Sequence, residues 1–231
     1  MHKSAMENAH RFFSAYGKPF LGRENVRVVE IGAQDVNGTL RDACPKGFSY
    51  TGVDFCAGKG VDVVLDDPYQ LPFADAEVDI VVSSSCFEHS EMFWLLFLEI
   101  MRVLKPAGLF YLNAPSNGSF HRYPVDCWRF YPDSGRALAN WARRNKHDAL
   151  CLESYTSAQV KPEVWNDYVA VFLKDARFLG DYPERIVDSL TNFNNGVVHG
   201  REGVANFSHQ TEDYRRYAEL AGAVRSIAKD L

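Results

Sequence analysis

The sequence predicts an α/β fold: a mostly parallel sheet with helices on both faces. Two observations carry that prediction. Apolar runs of strand length alternate with helical or connecting segments between residues 26 and 115. Each run also ends in polar or small residues: Glu30 and Gly32, Asp54, Asp66 and Asp67, Ser83 to Ser85, and Asn113. Such alternation implies right-handed crossovers and a parallel sheet. Ligands of parallel sheets bind beyond the carboxyl ends of the strands, so the second observation predicts a cleft there.

In chain order, residues 5–16 read as an amphipathic helix with Phe12, Phe13 and Tyr16 on one face. Gly17, Lys18, Pro19 and Gly22 break it. VRVVEIG (26–32) has the β-branched, unalternating character of a strand buried on both sides. A helix is expected from about Asn37-Gly38 through TLRDA. FSYTGVD (48–54), VDVVLDD (61–67) and VDIVVSSS (78–85) are the next three strands. Ser90 to Leu104 reads as a helix with Ser90 as N-cap and Glu91 in the first turn, stopped by KPAG (105–108). GLFYLNAP (108–115) is the fifth strand, and Asn117 to Pro132 is an aromatic connection. Residues 133–146 read as a helix, and Leu150–Tyr155 with Tyr168–Lys174 as an antiparallel edge hairpin. Residues 176–210 look irregular, and Thr211 to Leu231 reads as a terminal helix capped by Thr211, with Glu212 and Asp213 in its first turn.

A chain of 231 residues, 46% hydrophobic and 24% charged, buries an ample core without staples. Its net charge of −5 argues against a nucleic-acid partner, since phosphate backbones call for a basic face. The cysteines, Cys44, Cys56, Cys86, Cys127 and Cys151, are odd in number and contain no C-x-x-C pair. Neither a disulfide framework nor a zinc site follows, and reduced thiols fit a cytoplasmic location. MHKSAMENAH lacks the apolar core of a signal peptide, and the greasiest run, Phe93 to Met101, is too short to span a bilayer. No membrane insertion is expected. A metal is not expected either: His199 and His209 have no cysteine or carboxylate at ligand spacing.

The chemistry lies in the order of the strand ends. Gly32, in the turn that runs on to Gly38, allows a ligand close to the backbone. Glu30 is unsuited to a pyrophosphate; it fits a cationic ligand or orders its loop. Asp54 stands about 20 residues past the glycine turn, where an acid accepts both hydroxyls of a ribose. Asp67 could accept from an adenine amino group, with Leu71, Pro72 and Phe73 as apolar packing nearby.

VVEIGAQDVNG, YTGVD, LDDPYQLPFADAEVDIVVSSSCFEH and EIMRVLKPAGLF, taken in that order, resemble the successive motifs of class I S-adenosylmethionine-dependent methyltransferases. The resemblance is to the broad methyltransferase type 11 group and covers roughly residues 26–113. It implies S-adenosylmethionine as cofactor and a Rossmann-like seven-stranded sheet, mostly parallel, with the last strand antiparallel. The length fits a single domain over 1–231, read as an N-terminal helix (1–22), a cofactor-binding core (26–113), a substrate-side segment (114–132) and a C-terminal extension (176–231). Carried over to these positions, Glu30, Gly32 and Ala33 begin the cofactor loop and Gly38 closes it. Asp54, with Phe55, holds the ribose. Asp67, with Pro68, meets the adenine, and Ser84 or Ser85 lies near the cofactor. The chain departs from the family loop E-x-G-x-G-x-G, with Gln34 and Val36 in place of glycines. Pro68 also offers no N–H, leaving Tyr69 as the nearest backbone donor.

The segment SNGSFHRYPVDCWRFYP (116–132) follows strand five and should overhang the methyl-transfer site. It resembles a segment of methyltransferases linked to bacterial surface polysaccharides and sugar modification. Methyl transfer to oxygen draws on positioning and, where needed, a general base. Candidates are His121 and His89, with Asp126 as orienter. Arg122, Tyr123, Trp128 and Arg129 are candidate substrate contacts, the arginines for an anionic group. The bland readings stand beside these: His89 as a helix cap, Arg129 paired with Asp126, and Trp128 packing the segment onto the sheet. The expected function is methylation of a small hydroxylated acceptor, such as a sugar or sugar nucleotide, with a homodimer as an allowed assembly. A nicotinamide-dependent oxidoreductase is disfavoured because no G-x-G-x-x-G follows strand one. A non-catalytic binding protein on the same fold stays open.

Overall fold

The structure, a computed structural model, describes residues 3–160, 165–210 and 212–228. Among the described residues, eight strands form one sheet: β1 Arg27–Ile31, β2 Ser49–Asp54, β3 Val63–Val64, β4 Val78–Ser84, β5 Leu104–Pro115, β6 Leu150–Ser157, β7 Asp167–Leu173 and β8 Phe193–Val198. Their order is β3-β2-β1-β4-β5-β7-β6-β8. Neighbours from β3 to β5 pair in parallel, and β7 and β8 run antiparallel to theirs. The α/β expectation holds, with eight strands in place of seven.

The helices are α1 Lys3–Tyr16, α2 Phe93–Val103, α3 Asp133–Arg144 and α4 Glu212–Ile227. Alternation along the strands sorts the core into two layers. Val28, Ile80, Val82, Leu109 and Tyr111 pack on one face under Phe12 and Tyr16 of α1 and under Tyr182, Ile186 and Val187. Val29, Ile31, Val81, Phe110 and Leu112 pack on the other, under Leu96, Phe97 and Ile100 of α2 and Leu138 and Ala142 of α3. Every residue of β4 is buried, as an unalternating apolar run requires. Among the described residues no helix is long and apolar enough to cross a membrane.

Several boundaries differ from expectation for local reasons. The helix expected around TLRDA is a four-residue 3-10 turn, Leu40–Ala43. Pro45 holds Cys44 extended, with ψ at 135°, and stops it. The third strand shrinks to Val63–Val64, because Asp62 turns its carboxylate back onto the Gly52 N–H at 2.7 Å. The helix expected from Ser90 begins at Phe93, and Ser90 is not its cap: a 3-10 turn at Phe87–His89 precedes it, and Met92 is the capping position. The helix also ends at Val103, and β5 starts at Leu104, with the KPAG residues taken up in a register shift against β4. The expected hairpin of β6 and β7 is present but does not form the edge. β8, from the stretch read as irregular, pairs with β6 and takes that place. The same stretch holds two further 3-10 turns, Ala176–Asp181 and Ile186–Ser189. The expected cap Thr211 lies outside the described residues.

Candidate functional site

β1 has β2 on one side and β4 on the other, so the chain's direction of travel across the sheet reverses between β1 and β4. That is a topological switch point, where the loops after adjacent strands diverge and leave a crevice. A cavity of about 750 Å³ lies there, within the usual range for a small-molecule site. Ile31 and Gly32 at the end of β1, Asp54 and Phe55 at the end of β2, and Ser84 and Ser85 at the end of β4 all line it.

The β1 loop is tied down from within. Gly32 has φ +78°, and a Cβ there would lie 2.6 Å from the Cys86 Cβ and 2.8 Å from its Sγ. Glycine is required at this point by a protein neighbour as well as by its own backbone. Glu30 is buried, and it accepts hydrogen bonds from the Tyr50 hydroxyl at 2.8 Å, the Thr39 hydroxyl at 3.3 Å and the Leu40 N–H at 3.4 Å. Burial pushes its carboxyl above the ordinary range, and those donors, with Arg41, pull against the shift. Of the two roles expected for Glu30, the geometry displays loop ordering. Gly38 donates its N–H to Asp35 at 2.7 Å and closes the loop. Asp54 accepts from the Gln34 N–H at 3.2 Å and the Cys56 N–H at 3.1 Å, which hold its carboxylate at the cavity wall.

Beyond β4 the wall is built by His89, His121, Arg122, Tyr123 and the unanticipated Trp165, with Glu88 behind them. The His89 and His121 rings meet edge to face at 5.0 Å, and His121 meets Trp165 at 5.1 Å. Each imidazole sets its Nδ1 on a backbone carbonyl oxygen, His89 on Val125 at 2.5 Å and His121 on Ser119 at 3.0 Å. Burial lowers the His89 pKa, which favours the neutral ring. Glu88 is fully buried, and burial pushes its carboxyl up to about 8.

Most expected site residues therefore converge: Glu30, Gly32, Gly38, Asp54, Phe55, Pro68, Ser84, Ser85, His89, His121, Arg122 and Tyr123 line one cavity. The others stand elsewhere. Ala33 is buried, with its Cβ close to Gly52. Asp67 is exposed and accepts the Tyr69 N–H at 2.8 Å, so that donor serves the turn itself. Asp126 and Arg129 form a two-pronged ion pair at 2.6 and 2.9 Å. Arg129 also donates to the Ser119 carbonyl at 3.0 Å and is not free for an anion. Asp126 reaches His121 through the backbone N–H at 2.7 Å, and Arg129 draws its carboxyl down to about 2. Trp128 donates its indole N–H to the Ser90 carbonyl at 3.0 Å and packs on Phe93 and Trp94. This is the bland reading of Trp128 and of the Asp126–Arg129 pair: they fasten the segment in place. Glu88 lay in the quoted CFEH motif without a role, because sequence alone does not reveal that a glutamate is buried.

Comparison with known proteins bears on the fold that carries this cavity. Residues 29–112 match the family described as Methyltransferase domain. An uncharacterized methyltransferase of Mycobacterium marinum is 39% identical over 84 residues, covering 34% of this chain and 31% of that protein. The chain thus matches about a third of the length of that curated relative. Among solved structures, the 1,6-didemethyltoxoflavin-N1-methyltransferase of Burkholderia thailandensis, with bound S-adenosylhomocysteine, superposes with a TM-score of 0.57. It is 16% identical, over 75% of this chain and 79% of that one. The [4+2]-cyclase SpnF superposes with a TM-score of 0.51 at 14% identity, over 73% of this chain and 82% of that one. At such identities the likeness is one of fold, and a fold hosts more than one chemistry. Residues 29–112 thus resemble a methyltransferase domain, and the fold around them is like that of a solved methyltransferase.

Proposed function

We propose that the chain is an S-adenosylmethionine-dependent methyltransferase that O-methylates a small hydroxylated acceptor, a sugar or sugar nucleotide being the class we favour. The observation that carries this reading is the division of one cleft about the switch point. On the β2 and β3 side lie Asp54 and an apolar shelf of Phe55, Leu65 and Pro68. On the β4 and β5 side lie His89, His121, Arg122 and Tyr123. A carboxylate beside an apolar shelf suits a nucleoside, and imidazole, guanidinium and phenol suit a polar acceptor.

The residues fit the cofactor. Asp54 would accept the ribose hydroxyls, its orientation already set by the Gln34 and Cys56 N–H groups. Phe55, Leu65 and Pro68 would cover the base, and the loop to Gly38, held by Glu30, would lie along the remainder. Asp67 at the rim would reach the adenine only after giving up the Tyr69 N–H. S-adenosylmethionine supplies an electrophilic methyl on a positive sulfur. His121 and His89, with Nδ1–H set on carbonyl oxygens, offer Nε2 lone pairs to an acceptor hydroxyl. Asp126 and Arg129 act as positioning residues for His121, and Arg122 and Tyr123 as acceptor contacts.

Calorimetric titration with S-adenosylmethionine and S-adenosylhomocysteine tests the reading. Asp54→Ala should weaken both by roughly tenfold to a hundredfold, the loss of hydrogen bonds to an ionised acceptor. Absence of any response in the unaltered protein would sink the assignment, and binding of reduced nicotinamide dinucleotide in its place would turn it to the oxidoreductase. Cofactor binding without turnover on hydroxylated acceptors would leave a binding protein.

A further inference from the structure

We infer that Glu88, His89 and His121 form a binding site for one divalent transition-metal ion on the acceptor side of the cavity. One ligand atom from each of the three lies within 4.8 Å of the others. The His89 Nε2 stands 3.7 Å from a Glu88 carboxylate oxygen.

Two further observations point to an ion. Both carboxylate oxygens of Glu88 are buried without a hydrogen-bond partner, in a residue of 0% exposure that lines the cavity. A buried carboxylate without donors is costly, and protonation or a bound cation relieves it. Both imidazoles set Nδ1 on a carbonyl oxygen, Val125 for His89 and Ser119 for His121. A hydrogen on Nδ1 satisfies those carbonyls and leaves the lone pair on Nε2, the arrangement that metal-ligating histidines adopt through their outer shell. A nearby cation, Arg129, lies 3.4 Å from the His121 Nδ1, behind the ring, and its charge is met by Asp126.

The donor set decides the class of ion. Two imidazoles and one carboxylate suit zinc, iron(II), cobalt(II) or manganese(II) in preference to calcium or magnesium, which take mainly oxygen ligands. Ligands about 2.1 Å from a tetrahedral ion lie roughly 3.4 Å apart, so from separations within 4.8 Å the side chains need draw in by no more than about 1.4 Å. Three protein ligands leave an open position toward the cavity, as in catalytic rather than structural sites. An acceptor oxygen placed there would have its hydroxyl pKa lowered. The two imidazoles would then act as ligands instead of bases. That role in the reaction rests on the methyltransferase reading; binding of the ion does not.

The test uses the full chain freed of metal by chelation and dialysis, titrated with cobalt(II) and separately with zinc. One cobalt(II) per chain with a visible ligand-field band is expected, without the near-ultraviolet thiolate band that the five free cysteines would give. Glu88→Gln and His121→Ala should each weaken binding by roughly a hundredfold, with S-adenosylhomocysteine affinity kept as the measure of an intact fold. No stoichiometric binding, a thiolate band, or binding indifferent to both variants would overturn the inference. Cobalt(II) binding that obeys both variants in a chain indifferent to S-adenosylhomocysteine would uphold the ion site and sink the methyltransferase reading.

Discussion

Gly32→Ala offers a test of how the β1 loop is built. Two penalties fall on the new methyl group. The backbone at φ +78° is left-handed, which costs an L-residue about 1–2 kcal/mol. The methyl would also stand 2.6 Å from the Cys86 Cβ, well inside contact distance, and overpacking of this kind costs about 1–3 kcal/mol. Together they come to roughly 2–5 kcal/mol, or about 5–20 °C in melting temperature for a chain of this size. The two penalties separate in a double-mutant cycle. Cys86→Gly removes both of the atoms that crowd the methyl, so in its background Gly32→Ala should cost only the backbone share. Urea and thermal unfolding of the parent, both single variants and the pair supply the four stabilities. If Gly32→Ala costs as much in the Cys86→Gly background as in the parent, the steric argument is wrong, and the glycine serves the backbone or a ligand alone.

Other substitutions probe groups the fold holds in place. Glu153 is buried and accepts from the Tyr16 hydroxyl at 2.5 Å and from the Ile186 and Val187 N–H groups at 2.6 and 3.0 Å. Glu153→Ala orphans three donors and should cost roughly 3–5 kcal/mol in urea unfolding; an unchanged midpoint would refute it. Tyr50→Phe takes the shortest hydrogen bond from buried Glu30 and should cost about 1–3 kcal/mol, read as a fall in melting temperature. Asp126 carries a pH signature, because Arg129 draws its carboxyl down to about 2. A depressed carboxylate pKa lends stability that is whole above the unfolded value of about 3.9 and is lost as pH falls through the folded one. The stability difference between the parent and Asp126→Asn should therefore be flat from about pH 7 to about 5 and shrink between about 4 and 2. A difference that grew on acidification would contradict the ion pair.

The sheet was readable in the sequence where its strands are buried on both faces. β1, β2, β4 and β5 are recorded in VRVVEIG, FSYTGVD, VDIVVSSS and GLFYLNAP, and their polar ends marked the rim of the cleft. β8 was not readable: Asn194, Asn195 and Gly196 interrupt FNNGVV, and it becomes a strand because β6 offers an unpaired edge. Helix starts were likewise misplaced where a distant partner intervenes, as at Ser90, whose carbonyl takes the Trp128 indole N–H.

Within the site, the sequence by itself determined which residue types stand at the strand ends, because that follows from strand length and chain order. Which of those groups face the cavity, and which are used up by neighbours, was decided only by tertiary structure. Asp126 and Arg129 satisfy each other, Asp67 caps its own turn, and Gly32 makes room for Cys86. Glu88, an ordinary acid in its local sequence, is left buried and without a donor beside two imidazoles. Hydrogen-bond satisfaction and burial depend on residues far apart along the chain, and only the folded arrangement brings those residues together.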